Sequence, residues 1–391
     1  MTLQNDFLAK TTNTPFNIDV DRADGVYIYD KEGAKYFDLI SGIAVSNLGH
    51  GNKTINAAIK RQVDKYLHVM VFGEYSQTPQ SELANKLNEL LPDTLTTSYF
   101  VNSGTEANEA ALKLAKRYTG RTEIVAFYKS YHGSTHGSLS VTGNETKKNA
   151  FRPLLPDVRF IHFDNLLDLK NITKKTACVI VEPIQGDAGV RIPTKVFMKA
   201  LRSKCDETGT LLIFDEIQTG FGRTGKFFAF EHFNVVPDIL TIAKAMGGGM
   251  PIGAFIASKV IMDSLTSNPE LGHITTFGGH PVNCVAALTN INELLKDNLI
   301  ASVEKKGQLF EEIITHASIK EIRRKGLFFA IEMVSPETVQ KVVEGCKSKG
   351  VLSFWFLSCP ESFRIAPPLN ISENEIKLSA KIIWEVINEL G

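Results

Sequence analysis

Short, uninterrupted apolar runs alternate with helical segments in the middle of this chain. The runs ACVIVEP, LLIFDE and PIGAFIA are almost bare of polar side chains, and the segment VFMKALRSKCDET between the first two has a helical pattern. Strands that bury both faces are typical of parallel sheets with helices on each side. The sequence therefore predicts an α/β fold with a mostly parallel sheet that is covered on both faces.

The two ends of the chain show other patterns. GVYIYDKEGAKYFDL alternates apolar and polar residues around a KEGA turn, which predicts a β-hairpin. The segments IKEIRRKGLFFAIEM, VLSFWF and SFRIAPP predict a strand-rich piece near the C-terminus. Outside the central region, helices are expected at 53–69, 80–91, 281–297 and 301–316, and from about residue 372.

A length of 391 residues is long for one hydrophobic core, so we expect more than one domain. The predicted large domain is residues 51–265, which hold the alternating strands and helices. Residues 266–391 would supply an interdomain helix and a smaller α+β domain. Residues 1–50 would form an N-terminal segment that joins this smaller domain.

Composition excludes several kinds of partner. Lys plus Arg and Asp plus Glu each total 43, so no net charge favours nucleic acid or an anionic membrane. The five cysteines form no CxxC pair, which argues against a disulfide framework and against a zinc site. The start MTLQNDFLAK lacks an apolar core and no run reaches transmembrane length, so we expect a cytoplasmic protein.

Ligands of open α/β sheets bind beyond the carboxyl ends of the strands. In this chain, polar residues and glycines follow the predicted strands at these ends. They are Ser103-Gly104-Thr105 after TSYFVN, Tyr131-His132 after EIVAFY, Glu182 after ACVIV, Asp215 after LLIF, and Lys244 at the end of ILTIA.

Each of these residues also has an ordinary structural interpretation. Ser103 could cap a helix, Tyr131 could pack in the core, and Lys244 could extend its amine to solvent. Asp215 is harder to explain in this way, because an unpaired buried carboxylate is costly. Three glycines directly after Lys244 favour a ligand, because they let backbone or a bulky group approach closely.

A single ligand would satisfy these groups together if it carried an anionic group, an aromatic face, a basic ring nitrogen and an aldehyde. Pyridoxal 5′-phosphate (PLP) has these parts. A helix N-terminus at Gly104 would bind its phosphate. Lys244 would hold its aldehyde as a Schiff base, because a partly desolvated lysine loses its proton readily. Asp215 would keep the ring nitrogen protonated, which makes the ring an electron sink.

VNSGTEANEAALKLAKR, IFDEIQTGFGRTG and PDILTIAKAMGGGMPIGA resemble the class III PLP-dependent aminotransferases, in particular the acetylornithine/ornithine group. The resemblance runs from LISGIAVSNLGH to FRIAPPLNISENEI and so covers most of the chain. It implies fold type I, with a mostly parallel seven-stranded sheet in a large domain and a smaller α+β domain. It also implies a homodimer whose active sites are shared between the subunits.

The resemblance implies a role for each matching residue of the cofactor site. Gly104 and Thr105, next to Ser103, match the phosphate-binding pair. Asp215 and Lys244 match the acid at the ring nitrogen and the lysine that carries the cofactor. The remaining matches are Tyr131 stacked on the ring, Ile217 under its opposite face, Gln218 at the phenolic oxygen, and Thr276 at the phosphate of the neighbouring subunit.

On the substrate side, Arg364 in FRIAPPL matches the arginine that binds the α-carboxylate of glutamate and 2-oxoglutarate. A guanidinium suits this task because it binds a carboxylate with two parallel hydrogen bonds. Glu182 and Thr275 belong to the same expected set. An ordinary arginine at the end of a strand is the alternative interpretation of Arg364.

Two positions depart from the family pattern. Ser134 stands after YHG, where the acetylornithine and ornithine enzymes have an arginine that binds the donor's α-carboxylate. Lys129 and His136 are the nearby basic residues that could compensate for it. Asp187 stands where relatives commonly carry the glutamate that gates the arginine matched by Arg364, and its side chain is about one methylene shorter. Both changes leave the family resemblance intact but leave the donor open.

The expected reaction moves a terminal amino group from an acetylornithine- or ornithine-like donor to 2-oxoglutarate, giving an aldehyde and glutamate. An alternative donor is another terminal amine, such as putrescine, 4-aminobutyrate or a lysine-like compound. A mutase or decarboxylase of the same class is less favoured, because Arg364 and its motif favour the half-reaction with 2-oxoglutarate. A non-catalytic PLP-binding protein is disfavoured because lysine, acid and phosphate loop are all present. The sequence does not favour a dinucleotide-dependent dehydrogenase, since no G-x-G-x-x-G opens a helix after the first strands.

Overall fold

The computed structural model describes residues 7–13, 15–71 and 73–390. The strands are β1 (Val20–Asp24), β2 (Tyr27–Asp30), β3 (Lys35–Asp38), β4 (Thr97–Val101), β5 (Glu123–Phe127), β6 (Val158–Ile161), β7 (Thr176–Val181), β8 (Leu211–Asp215), β9 (Ile239–Ile242), β10 (Gly253–Ala257), β11 (Glu321–Lys325), β12 (Phe328–Glu332), β13 (Val351–Leu352), β14 (Phe354–Trp355) and β15 (Ser362–Ile365).

The helices are α1 (Ser41–Ala44), α2 (Lys53–Lys65), α3 (Thr78–Leu90), α4 (Gly104–Thr119), α5 (His136–Val141), α6 (Glu145–Lys148), α7 (Lys195–Thr208), α8 (Lys259–Met262), α9 (Pro281–Leu294), α10 (Leu299–Ile314), α11 (Pro336–Ser348) and α12 (Glu373–Leu390). Short 3-10 turns lie at Asn149–Phe151, Leu166–Asn171, Ala229–His232, Lys244–Gly247 and Asp263–Leu265. None of the helices in these described ranges is long and apolar enough to cross a membrane.

A seven-stranded sheet with the order β4-β10-β9-β8-β7-β5-β6 forms the centre of the molecule. Strands β9, β8, β7, β5 and β6 run parallel, and only β10 pairs in the antiparallel direction, with β4 on one side and β9 on the other. The α/β class and the mostly parallel sheet predicted from the sequence are therefore confirmed. The carboxyl ends of the parallel strands lie at one edge, where the sequence places its polar residues.

Both faces of this sheet are buried. In β8, Leu212 and Phe214 belong to one core cluster, while Leu211 and Ile213 belong to a second cluster on the other face, with α4. Successive side chains of a strand point to opposite faces of the sheet. A strand with an apolar residue at every position can therefore be buried on both faces. This arrangement explains why LLIF contains no polar residue.

Strands from the two ends of the chain form two smaller sheets, and the ends meet in one of them. One sheet has the order β1-β2-β3-β13, and its antiparallel β2–β3 pair is the predicted hairpin. The two-residue strand β13, from the C-terminal part, pairs in parallel with β3. The other sheet, β11-β12-β15-β14, is the predicted strand-rich piece and is antiparallel. The division into residues 1–50, 51–265 and 266–391 remains a prediction.

Two details differ from the sequence patterns. Helix α2 ends at Lys65, because Tyr66 is extended there, although the apolar spacing continues through Leu67 and Val69, which are exposed. The C-terminal strand-rich piece is also interrupted by α11, which buries Val339, Val342, Val343 and Cys346. Their spacing of three and four residues is the pattern of an amphipathic helix.

Candidate active site

A cleft of about 440 Å³ opens at the carboxyl ends of the parallel strands. Most of the residues predicted from the sequence line it together, although they come from different strand ends. They are Ser103, Gly104, Thr105, Tyr131, Ser134, Glu182, Asp215, Ile217, Gln218 and Lys244. The predicted residues Asp187, Thr275, Thr276 and Arg364 are not part of this lining.

Lys244 begins the 3-10 turn after β9, with a left-handed φ of 46°. No hydrogen bond or ion pair of its amine is found within the described part of the chain. Burial lowers the pKa of Lys244, and the nearby charge of Asp215 offsets part of this effect, while Arg364 adds to it. A lysine that loses its proton easily can act as a nucleophile and as a proton carrier.

The glycines after Lys244 have different environments. Gly248, with φ of 58°, packs so closely that an added Cβ would lie 2.9 Å from the Asn290 side chain. Gly249 lines the cleft, and an added Cβ there would meet nothing within 4 Å. The sequence interpretation, that the glycines as a group clear space for a ligand, is therefore wrong for Gly248, which allows α9 to approach the turn.

Asp215 ends strand β8 and is 4% exposed. Its Oδ2 atom accepts a hydrogen bond of 2.8 Å from Asn108 Nδ2 and lies 2.8 Å from the Nδ1 atom of His132. Its Oδ1 atom accepts from the backbone N–H of Ile217 at 3.0 Å. Because these donors are fixed, the carboxylate is oriented before any ligand binds.

Asn108 and His132 were not assigned a role by sequence reasoning. Asn108 lies within α4, where its oxygen accepts a hydrogen bond from Thr241 Oγ1 at 2.8 Å. The pattern of α4 predicts only a buried side chain at Asn108, and nothing in it names Asp215 as the partner. His132 follows Tyr131 directly, and its Nε2 atom is buried without a partner among the described residues.

Glu182 supports the segment that carries Tyr131. Its carboxylate accepts hydrogen bonds from the backbone N–H of Tyr131 at 3.0 Å and of Gly186 at 2.9 Å. The pKa of Glu182 is raised to about 7, mainly by burial and in addition by the charge of Asp215, while His132 and the two backbone donors act in the opposite direction. The geometry is that of a residue that orients Tyr131, in addition to the substrate contact predicted for it.

The N-terminus of α4 faces the cleft. Ser103 is its N-cap and accepts a hydrogen bond from the Glu106 backbone N–H at 3.2 Å, so the helix-cap interpretation is confirmed. The N–H groups of the first helical turn, which include Gly104 and Thr105, have no partner within the helix. An added Cβ at Gly104 would lie 2.8 Å from the Ile217 side chain, so only glycine fits between the loop and this residue.

Tyr131 and Ser134 form a hydroxyl pair at the mouth of the cleft. Their oxygen atoms lie 3.2 Å apart, and Tyr131 is 38% exposed. Of the two basic residues that could compensate for the missing arginine, neither Lys129 nor His136 lines the cleft. Lys129 instead lines a separate groove with Arg191. Among the described residues that line the cleft, Lys244 is therefore the only lysine or arginine.

Arg364 lies on β15 and is 4% exposed. Its Nη2 atom is 3.3 Å from Oδ1 of Asp187, and its Nε atom is buried without a partner among the described residues. The guanidinium carbon lies 4.3 Å from the centre of the Phe356 ring. Burial lowers the pKa of Arg364, while Asp187 acts in the opposite direction. A buried guanidinium with unused N–H groups is suited to bind a carboxylate.

The two threonines of TTFGGHP have different positions. Thr275 accepts a hydrogen bond of 3.2 Å from the side chain of Asn102, which lines the cleft. Thr276 is exposed and contributes nothing to the cleft of its own chain. Its expected contact with the phosphate of a neighbouring subunit therefore remains a prediction.

The residues of the cleft fit PLP. The first turn of α4 offers N–H groups to a phosphate, and Asp215 offers a fixed carboxylate to a protonated ring nitrogen. Gly104 lets the loop pack directly against Ile217, and among the described residues no hydrogen-bond or ion-pair partner of the Lys244 amine is found. No competing metal site is found, since the described residues contain no group of His, Cys, Asp and Glu that could hold an ion.

Comparison with known proteins agrees with this cleft. The family described as "Aminotransferase class-III" matches residues 8–387. The acetylornithine aminotransferase of Methanopyrus kandleri is 39% identical over 383 residues, 97% of each chain. The LysW-aminoadipate semialdehyde/glutamate semialdehyde transaminase of Sulfurisphaera tokodaii is 42% identical over 325 residues, 81% of this chain and 82% of that protein. The ornithine aminotransferase structure from Toxoplasma gondii ME49 matches with a TM-score of 0.91 and 27% identity, covering 99% of this chain and 94% of that one.

The chain belongs to the class III aminotransferases. It is a transaminase that uses PLP, with an amine donor and a keto acid as its substrates. The family and the cofactor predicted from the sequence are confirmed. The two relatives described above carry different substrate names, so the family does not by itself define the donor.

Proposed function

We propose that this enzyme moves the terminal amino group of an acetylornithine- or ornithine-like donor to 2-oxoglutarate, giving an aldehyde and glutamate. The observation that carries the acceptor half of the reaction is Arg364, which is buried, has an Nε atom with no partner among the described residues and lies 3.3 Å from Asp187. The donor half is supported by the acetylornithine aminotransferase relative. The name of the other relative describes semialdehydes, the class of compound that this proposal makes the product.

When it is bound, PLP supplies an electron sink that stabilises negative charge at the carbon next to the amine. In our proposal, Lys244 carries the cofactor and moves a proton to and from this carbon. Its lowered pKa suits both tasks, because the neutral amine must be accessible. Asp215 keeps the ring nitrogen protonated, and His132 and Asn108 hold the Asp215 carboxylate in place.

The other residues of the cleft bind and orient. Gly104 and Thr105 would bind the phosphate through their backbone N–H groups, with Ser103 capping the same helix. Tyr131 and Ile217 would hold the two faces of the ring. Both side chains line the cleft, as this arrangement requires. Gln218, which also lines the cleft, would donate a hydrogen bond to the phenolic oxygen.

A second donor class follows from Ser134. The family arginine at this position binds the donor's α-carboxylate, but Ser134 has only a neutral hydroxyl, which already contacts Tyr131 at 3.2 Å. A neutral hydrogen bond contributes roughly half as much as a charged one. Donors without that carboxylate, such as putrescine, or with one at another position, such as 4-aminobutyrate or a lysine-like compound, are therefore the second candidates.

We also propose a homodimer. Thr276 would reach the phosphate in the partner subunit, because it does not reach the cleft of its own chain. Apolar residues of the same loop, Leu271, Ile274 and Phe277, are exposed at 64%, 59% and 55% in the single chain. A subunit interface would bury such residues.

A donor screen tests the proposed function. The PLP-bound enzyme would be incubated with 2-oxoglutarate and with acetylornithine, ornithine, putrescine, 4-aminobutyrate or lysine, and glutamate formation would be measured. Highest kcat/KM for acetylornithine or ornithine supports the first donor class, and highest kcat/KM for one of the other amines supports the second. If glutamate alone does not convert the bound cofactor to its amine form, followed by absorbance, the proposed acceptor is wrong.

A further inference from the structure

Asp187 has hydrogen-bond donors on two sides. Its Oδ2 atom accepts from the Ser358 hydroxyl at 2.8 Å, and its Oδ1 atom accepts from the Leu357 backbone N–H at 3.2 Å. The contact of Oδ1 with Nη2 of Arg364 is longer, at 3.3 Å, and involves only one N–H-bearing nitrogen. The shortest hydrogen bond of this buried carboxylate is therefore made with a neutral hydroxyl and not with the guanidinium.

The Ser358 hydroxyl is itself oriented by Asn144. The Asn144 side-chain nitrogen donates to the Ser358 oxygen at 2.9 Å, while the Asn144 oxygen accepts from the backbone N–H of Thr146 at 3.1 Å. Because the Ser358 oxygen accepts from Asn144, its proton is directed to Asp187. Hydrogen bonds in such a chain polarise and strengthen one another.

We propose that Ser358, oriented by Asn144, is a positioning residue that holds Asp187 partly away from Arg364 and so keeps Arg364 available to the carboxylate of 2-oxoglutarate or glutamate. This inference rests on the proposed function, which assigns that carboxylate to Arg364. The physical reason for this role lies in the hydrogen bonds of Asp187 after the ligand has bound. When Arg364 turns to the ligand, Asp187 still accepts from Ser358 and Leu357, so no buried charge is left without partners.

The variant Ser358→Ala removes one of these donors. In the free enzyme, the Oδ2 atom of Asp187 loses its partner, and Arg364, which already contacts Oδ1 of the same carboxylate, competes more strongly for it. In the ligand-bound enzyme, Asp187 keeps only Leu357. Both changes disfavour ligand binding. The first strengthens the competing ion pair of Asp187 with Arg364, and the second destabilises the complex of the enzyme with the dicarboxylate. Dicarboxylate binding is therefore weaker.

The test uses the PLP-bound enzyme and glutarate, a dicarboxylate that has no amino or keto group. Binding is followed through the absorbance of the bound cofactor. In Ser358→Ala, the dissociation constant of glutarate rises on the order of tenfold. In the half-reaction with glutamate, the KM rises by a similar factor, while the rate at saturation changes little. Ser358→Thr, which keeps the hydroxyl at a half-buried position, binds glutarate like the wild type.

The matched control is Ser353→Ala, which deletes a hydroxyl of the same segment that is buried and has no partner within the described residues. It leaves the affinity for glutarate unchanged. Asn144→Ala provides a second variant that acts through the same hydroxyl. It weakens glutarate binding less than Ser358→Ala does. In the double variant, the dissociation constant of glutarate rises by less than the product of the two single-variant factors.

Each outcome supports or overturns the inference. Unchanged glutarate affinity in folded, PLP-bound Ser358→Ala overturns it, as does an equal loss in Ser353→Ala, and so does tighter binding. Should Ser358→Ala not fold, Asn144→Ala still decides, because a wild-type glutarate affinity in that variant contradicts the proposed action of Asn144 through Ser358. A wild-type enzyme that does not react with glutamate refutes the proposed function instead, a result distinct from these.

Discussion

The Nδ1 atom of His132 lies 2.8 Å from the Oδ2 atom of Asp215, and both side chains are almost completely buried. Asn108 donates to the same oxygen. With Oδ2 occupied twice, Oδ1 is the atom that remains for a ligand, besides its contact with the backbone of Ile217. In the proposed function, these contacts leave Oδ1 as the atom that would meet the protonated ring nitrogen.

The first prediction concerns this pair. His132→Leu removes one donor to a buried carboxylate, which costs on the order of 1–3 kcal/mol. We expect faster loss of PLP on dialysis and a slower half-reaction with glutamate, both measured by the absorbance of the cofactor. His162→Leu is the control, since His162 is exposed and pairs with Asp168 instead of Asp215. Equal cofactor retention in the two variants would show that His132 does not support Asp215.

The second prediction is that Lys244 carries the cofactor. Borohydride reduction of the PLP-bound enzyme followed by peptide mapping should place the pyridoxyl group on Lys244. Lys244→Ala should abolish turnover, because the chain then lacks both the covalent attachment and the proton carrier. Lys129→Ala, which removes a lysine outside the cleft, should keep the label and the activity. A label on any other lysine contradicts the assignment.

The third prediction tests Arg364. Arg364→Ala should weaken the use of both glutamate and 2-oxoglutarate by roughly ten- to 150-fold in kcat/KM, the effect of about 1.5–3 kcal/mol for a charged hydrogen bond. Arg364→Lys keeps the charge but lacks the planar set of donors, so we expect it to retain only part of the wild-type kcat/KM. Arg191→Ala, a partly exposed arginine outside the cleft, is the control. Wild-type kinetics in folded Arg364→Ala would reject the role.

The fourth prediction addresses the donor. Ser134→Arg should raise kcat/KM for acetylornithine or ornithine, because it supplies a bidentate cation to the donor's carboxylate. The glutamate half-reaction should stay nearly unchanged. Ser134→Ala is needed beside it, since both variants remove the hydroxyl that contacts Tyr131 at 3.2 Å. If the wild type already uses acetylornithine efficiently and the arginine variant gains nothing, the interpretation of Ser134 is wrong.

The fifth prediction is a pH dependence of stability. Burial lowers the pKa of His232 from 6.5 to about 4, and Lys325 adds to this effect, while the Thr224 carbonyl, within hydrogen-bond distance, acts against it. The folded protein therefore holds His232 neutral where the unfolded chain takes up a proton. The contribution of neutral His232 to the free energy of unfolding is complete above pH 6.5 and is lost as the pH falls towards about 4.

His232→Gln cannot take up this proton, and its amide can still donate to Thr224. On acidification through this window, we expect the wild type to lose more thermal stability than His232→Gln does. The measurement is the Tm of both proteins at several pH values. His162→Gln is the comparison variant at an exposed position. Parallel curves for wild type and His232→Gln would show that His232 is not a source of acid sensitivity.

Local patterns predicted much of the fold. Apolar runs such as LLIF and the alternating hairpin around KEGA were confirmed as β8 and as the β2–β3 pair. These predictions succeed because burial repeats with the period of the element itself. Helix α11 was not predicted, although Val339, Val342 and Val343 have helical spacing, because the strands on both sides of it dominated the interpretation of that region.

The candidate site likewise combines residues that the sequence predicted with contacts that it did not predict. The sequence predicted roles for Asp215 and Lys244, because each is a charged residue at the end of an apolar run, where an unpaired buried charge is costly. The partners of these groups were not visible. Asn108 lies 107 positions from Asp215 in the chain, and nothing near either residue names the other.

The sequence by itself therefore determined the alternation of strands and helices, the strand ends that carry reactive side chains and the family to which the chain belongs. Only the tertiary structure decided which distant side chains share a hydrogen bond. Arg364 meets Asp187 across 177 positions, and Asn144 meets Ser358 across 214. The physical reason is that a periodic pattern reports how one element is buried, whereas these contacts depend on how separate elements pack against one another.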